Sequence, residues 1–142
     1  MLEYQALFEP APEGGFVVTF PDFDWGVTQG DSEAEAGRMA SDALAMVVAH
    51  YITTGQPLPP PRLRRGRRYR SIRLPALITA KAELYSAFRQ AAITKAELAR
   101  RLNIPRMNVD RLFDPQHHSR LDHIEAALAA VGKQLDISVH AA

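Results

Sequence analysis

Within six consecutive residues, Arg106, Met107, Asn108, Asp110 and Arg111 are the side chains able to address a patterned polar surface. Arg bonds guanine O6 and N7 in the DNA major groove, and Asn bonds adenine N6 and N7. Arg106, nearest the start of the segment, is the best placed for a base edge. Lys95 and Arg100 or Arg101, one segment earlier, suit phosphate. Removing these residues leaves Val109, Leu112 and Phe113, an apolar side on which a helix can be seated.

The elements that must hold these side chains are two short helices and a tight turn, over Thr94–Phe113. Thr94 is a candidate N-cap, with Glu97 at the capping-box position. Leu98 and Leu102 share a face, and Ala99 is small where a second helix must come close. Asn103 tolerates the left-handed backbone that a helix end needs, and Pro105 suits the first turn of the next helix. The register is similar to the repressor-type helix-turn-helix family, with Ile104 joining Leu98 and Leu102 in the core. The family's usual turn Gly is replaced by Asn103. Such a motif lays its second helix in the major groove; a plain helical hairpin is the competing interpretation.

No catalytic set emerges elsewhere. His50, His117, His118, His123 and His140 have no zinc-type spacing, and no phosphate loop or nucleophile elbow is present. The expectation is therefore no enzyme activity, no metal and no cofactor. His117 and His118 either touch phosphate or serve as capping or solvated residues. Phe23 and Trp25, flanked by Asp22 and Asp24, are either aromatic interface anchors with an acidic rim or core residues at a loop.

Charge is unevenly spread. Residues 1–61 hold nine Asp/Glu and one Arg, residues 62–74 hold seven Arg and no acid, and residues 75–142 are nearly balanced. An acidic front half attracts a basic partner and repels nucleic acid, so DNA contact is expected from the back half. With no Cys, disulfides and thiolate metal sites are excluded. No run reaches the ~20 apolar residues of a membrane span and no signal peptide is evident. A cytoplasmic location fits.

Along the chain, alternation predicts a strand over Met1–Glu9, with Leu2, Tyr4, Ala6 and Phe8 on one face, and a second over Phe16–Phe20 after a Pro/Gly turn. A third strand covers Val27–Gln29. Ser32 opens a helix to about Thr54, with an Ala36, Ala40, Ala43/Leu44, Val47/Val48, Tyr51 stripe. The Pro/Arg-rich stretch 56–70 is stiff and extended at its start. Tyr69–Leu74 is a fourth strand beside the first. The basic run Arg62–Arg73 is a nucleic-acid arm, a solvated connector and edge strand, or a charge that holds the acidic front half. A helix from Leu77 to about Gln90 turns Leu77, Leu84, Tyr85 and Phe88 inward. Another is lined by Leu121, Ile124, Leu128 and Val131. Leu135, Ile137 and Val139 form a closing strand that pairs with a second subunit.

Several pieces together resemble the HicB-type antitoxin family in its helix-turn-helix version. In the front half these are Phe16–Asp22 and Gly26–Ser32 leading into an Ala-rich helix. In the back half the resemblance runs from Ser71–Leu77 through to Gly132–Leu135. The resemblance implies an α+β chain: a small, partly degenerate ribonuclease-H-like β-β-β-α-β domain (1–75) and a DNA-binding domain ending in a dimerising strand (76–142). It implies that the front domain neutralises a small HicA-type RNA-cleaving toxin, with Asp22, Phe23, Asp24 and Trp25 as candidate contacts. The back domain would repress its own operon as a homodimer or higher homo-oligomer. Surviving ribonuclease-H-type catalysis would need carboxylates converging on two metal ions. Glu3 and Glu9 lie near the ends of the first strand, Asp22 and Asp24 on a loop, and the fourth strand brings arginine. The alternatives are a stand-alone transcription factor with a small-molecule-sensing front domain and a metal-dependent nuclease.

Overall fold

A computed structural model describes residues 2–142; Met1, the first residue of the expected first strand, lies outside the described residues. The chain is mixed α+β, with a four-stranded antiparallel sheet and five helices among the described residues. It separates into two compact units, Met1–Thr79 and Ala80–Ala142.

In the first unit, β1 (Glu3–Pro10), β2 (Phe16–Thr19), β3 (Val27–Gly30) and β4 (Tyr69–Arg73) form a sheet in the order β3-β2-β1-β4. The register pairs Phe8 with Val18 and Tyr4 with Ile72. That places the apolar alternation of three strands on one face, with Tyr4, Ala6, Phe8, Val18 and Ile72 buried. Helix α1 (Glu33–Thr53) lies against the sheet through Ala36, Ala40, Leu44, Val47, Val48, Tyr51 and Ile52. Ser32 caps it by accepting from the Glu35 N–H at 3.1 Å. The Glu35 carboxylate reaches back to the Asp31 N–H (2.7 Å), one residue earlier than a capping box has it. Gly30 is required where strand meets helix: a Cβ there would lie 2.6 Å from Ala36 Cα.

In the second unit, most of α2 (Ala76–Ala91) is followed by α3 (Lys95–Leu102), α4 (Arg106–Phe113) and α5 (Leu121–Ala130). Its core is Leu84, Tyr85, Leu98, Val109, Leu112, Phe113, Ile124 and Leu128. The Phe113 ring packs on Phe88 at 4.9 Å. Thr94 caps α3 as expected, but the Glu97 carboxylate turns to Arg100 and Arg101 instead of back to the cap. Asn103 ends α3 at φ 54°, ψ 48°, the left-handed conformation anticipated for it. Pro105 stands at the N-cap of α4, one place before the first helical turn.

One expectation is corrected. Leu121, expected inward, is the first residue of α5 and is 50 % exposed. The segment Leu135–Val139, expected to pair as a strand with a second subunit, is not a strand in the single chain, where Ile137 and Val139 are largely exposed. A strand satisfies its backbone groups only through a ladder partner, and this segment has none among the described residues.

Candidate functional site

The front unit's loop between β2 and β3 splits its four candidate residues into two pairs. The Asp22 side chain is only 2 % exposed; it pairs with Arg64 Nη1 at 2.7 Å and accepts from the Arg62 N–H at 3.2 Å. Phe23 lies between Tyr4 (4.7 Å) and Tyr51 (5.1 Å) in the core. As surface contacts these two are corrected: an ion pair and a ring stack turn them inward, where they fix the loop. Asp24 and Trp25 face solvent. The Asp24 N–H donates to the Tyr51 hydroxyl (3.2 Å), and the half-exposed Trp25 ring meets His50 edge-on at 5.0 Å.

His50 leads to residues that the sequence reading missed. Met39, Met46 and His50 recur at seven and four residues, so they share one stripe on the outer side of α1. Met39 and Met46 are exposed, as is Asp42 between them. Beside Trp25, this makes an apolar surface with an acidic edge, the composition of a protein-binding patch. The signal was present: once the buried stripe of α1 is assigned, two methionines remain on the opposite side.

The basic run is tied to the front unit's acids at three positions. Arg64 pairs with Asp22, Arg70 with Glu33 (2.7 Å) and Arg73 with Glu3 (3.0 Å). Hydrogen bonds from Ser71 and Arg73 lower the Glu3 carboxyl below its ordinary range. Of the three uses left open for this run, holding the acidic front half is the one these arginines perform. Glu3 and Asp22 are thus bonded to cations and are not gathered at a common point.

In the back unit, α4 turns Val109, Leu112 and Phe113 inward, while Arg106, Met107, Asn108, Asp110 and Arg111 are exposed. Neither Arg106 nor Arg111 forms an ion pair among the described residues. Lys95, expected on phosphate, has its ammonium 3.0 Å from the Asp110 carboxylate, which ties α3 to α4. Arg100 is held by Glu97 through two bonds of 2.8 and 2.6 Å. Those bonds and one from Arg101 depress the Glu97 carboxyl to about 2. Arg101 also donates to the Ala130 carbonyl (2.9 Å) and so joins α3 to α5.

Beside α4 lies a cleft of about 360 Å³ with Leu102, Ile104, Leu112 and Ala126 in its lining. Asn108, Arg111, His117, His118, Ser119, Arg120 and His123 complete it, and no acid contributes. His117 Nδ1 is 3.1 Å from the Ser119 hydroxyl, and the Arg120 guanidinium is paired with Asp122. The exposed arginines of α4 are thus followed by a loop that brings His117, His118 and the paired Arg120 to the same cleft.

Comparison with known proteins accounts for nearly the whole chain. Residues 3–83 match the family model described as the HicB-like antitoxin of bacterial toxin–antitoxin systems. Antitoxin HicB of Escherichia coli (strain K12) is 35 % identical over 96 % of this chain and 98 % of its own length. Antitoxin HicB 1 of Photorhabdus laumondii is 34 % identical, covering 97 % of this chain and 87 % of its own. A chain of a solved toxin–antitoxin complex from Streptococcus pneumoniae is 35 % identical, with a TM-score of 0.40 over 44 % of this chain and 45 % of that one. Family match and near full-length relatives agree: the chain belongs to the HicB-like antitoxin family and is the antitoxin of a toxin–antitoxin system.

Proposed function

We propose that this antitoxin neutralises a small HicA-type RNA-cleaving toxin through its front unit and represses its own operon through its back unit. It acts in the cytoplasm as a binding protein, without catalysing a reaction. In this reading the first unit is a small, partly degenerate ribonuclease-H-like domain. The toxin contacts are Asp24 and Trp25, extended by Met39, Asp42 and Met46. A basic partner complements that acidic edge, and exposed aromatic and Met side chains are typical anchors. The former nuclease positions do not argue for catalysis, because Glu3 and Asp22 are bound to Arg73 and Arg64.

The observation that carries the DNA reading is the division of α4: a buried apolar side and an outer side with two arginines free of ion pairs. The α3–α4 pair is read as a helix-turn-helix, with Arg106 and Asn108 on base edges and Arg111, His117 and His118 on phosphate. Lys95 joins them only by leaving Asp110. Leu135, Ile137 and Val139 remain the candidate dimer strand, since a second subunit supplies the ladder partner that the single chain lacks. Two recognition helices would then read half-sites about 34–36 Å apart.

The test is co-expression with a short basic reading frame beside the gene, with the complex followed by size-exclusion and light scattering. Binding to the upstream DNA is measured in parallel. Arg106→Ala is expected to weaken operator binding by about 1–3 kcal/mol and to leave toxin co-purification unchanged. Loss of both together would refute the division of labour. DNA binding without any toxin partner would favour a stand-alone regulator.

A further inference from the structure

Among the described residues, Lys81 on α2 is the one charged residue wholly removed from solvent, at 0 % exposure. No carboxylate pairs with it there. Its ammonium instead donates to three backbone carbonyls: Arg111 at 3.0 Å, Asp114 at 2.6 Å and His117 at 2.6 Å. Three donors meet three acceptors, so the ammonium is fully satisfied. The cost of its burial lowers the Lys81 pKa, opposed by the nearby Asp114 charge. An apolar residue of similar length would avoid that cost, so the ammonium must do something that packing alone does not.

The identity of the three carbonyls shows what that is. Arg111 O belongs to the last turn of α4, where unpaired carbonyls make the negative end of the helix dipole. Asp114 O and His117 O belong to the loop that carries His117, His118 and Ser119 to the cleft beside α4. At its other end α4 has only eight residues and Pro105 as N-cap, with no side-chain capping bond. The Ser119 hydroxyl adds one weaker bond to Arg111 O, at 3.3 Å.

We propose that Lys81 is a positioning residue for DNA recognition. From the interior it clamps the end of α4 and the following histidine-bearing loop into one rigid piece, fixing the base-reading side chains relative to the phosphate-facing ones. This deepens the reading of α4 as the DNA-reading helix and rests on it. It makes no contact with DNA itself, and its effect is expected on affinity for the operator and on local opening of α4.

The chain has no cysteine, so Lys81→Cys places a unique thiol at this position. Alkylating it in the unfolded full-length chain with an aminoethyl or a propyl group, then refolding, gives two near-isosteres that differ in the ammonium. With the propyl group, operator affinity should fall at least about tenfold, the scale of one lost charge-assisted bond. Amides of Val109–Phe113 should exchange with solvent faster, while those of α3 and α5 hold. The aminoethyl group should restore both to within about twofold of the parent. Equal behaviour of the two alkylated proteins would overturn the proposal.

Should the propyl form fail to fold, the unmodified chain still decides the matter. Scalar couplings across hydrogen bonds from the Lys81 ammonium to the Arg111, Asp114 and His117 carbonyls should be visible by NMR, and their absence refutes the clamp. If the parent chain does not bind its upstream DNA but exchange at α4 still follows the ammonium, the DNA reading falls and the clamp stands.

Discussion

Two arginine-bearing stretches of this chain look alike in composition and differ in what their charges meet. In the run at 62–73, Arg64, Arg70 and Arg73 are matched to acids of the first unit. On α4, Arg106 and Arg111 stand beside an acid, yet Asp110 is engaged by Lys95 from the helix before. The first set is spent within the fold, and the second has no ion pair among the described residues. A count of positive charge does not separate these cases; the whereabouts of the compensating carboxylates does.

The sharpest way to break the comparison is Asp22→Ala. Its carboxylate is nearly inaccessible and serves both the Arg64 side chain and the Arg62 backbone. Removal should destabilise the front unit by about 2–4 kcal/mol, because Arg64 loses its counter-charge in a partly buried place. Arg70→Ala, which breaks a pair exposed on both sides, should cost less than about 1 kcal/mol. Denaturant titration separates the two. Similar losses would mean that the run is held by something other than its ion pairs.

A smaller effect sharpens the other side. Asn103→Ala should destabilise the back unit by about 1 kcal/mol, since Ala lacks the local hydrogen bonding that lets Asn occupy left-handed backbone. Asn103→Gly should be neutral or slightly stabilising. Thermal melts of the two variants check this, and equal melting temperatures would remove the turn from the account of how α4 is placed.

The smallest effect is one of pH. Glu97 has its pKa lowered to about 2 by Arg100 and Arg101. A depressed carboxyl stabilises the fold above its unfolded pKa and loses that contribution as pH falls through the folded one. The α3 pairing should thus persist on acidification past pH 4 and disappear near pH 2. A carboxyl NMR titration reads this directly. A midpoint in the ordinary range would mean that Arg100 is free for phosphate.

Much of this architecture was legible in the residues. Period-two alternation placed the first, second and fourth strands, and Ser32, Thr94 and Asn103 marked helix ends, because these signals act over three or four neighbouring residues. The candidate site was legible in halves. The α4 face followed from subtracting Val109, Leu112 and Phe113. The loop at 22–25 did not, because whether Asp22 and Phe23 point in or out depends on Arg64, Tyr4 and Tyr51, all distant in the chain. The closing segment at 135–139 stays undecided for a related reason: alternation gives a strand its faces but cannot supply its neighbour.

The sequence by itself therefore determined the local elements, the apolar faces and the family, since each is written in short-range spacing or in the order of segments. Only the tertiary structure decided which charges are already spent. Arg64 finds Asp22 across 42 positions of chain, and Lys81, lying on the apolar stripe of α2, finds three carbonyls about 30 or more residues away. Burial and hydrogen-bond geometry act through space, so the same lysine or arginine is a clamp, a tie or a free hand according to what folding brings beside it.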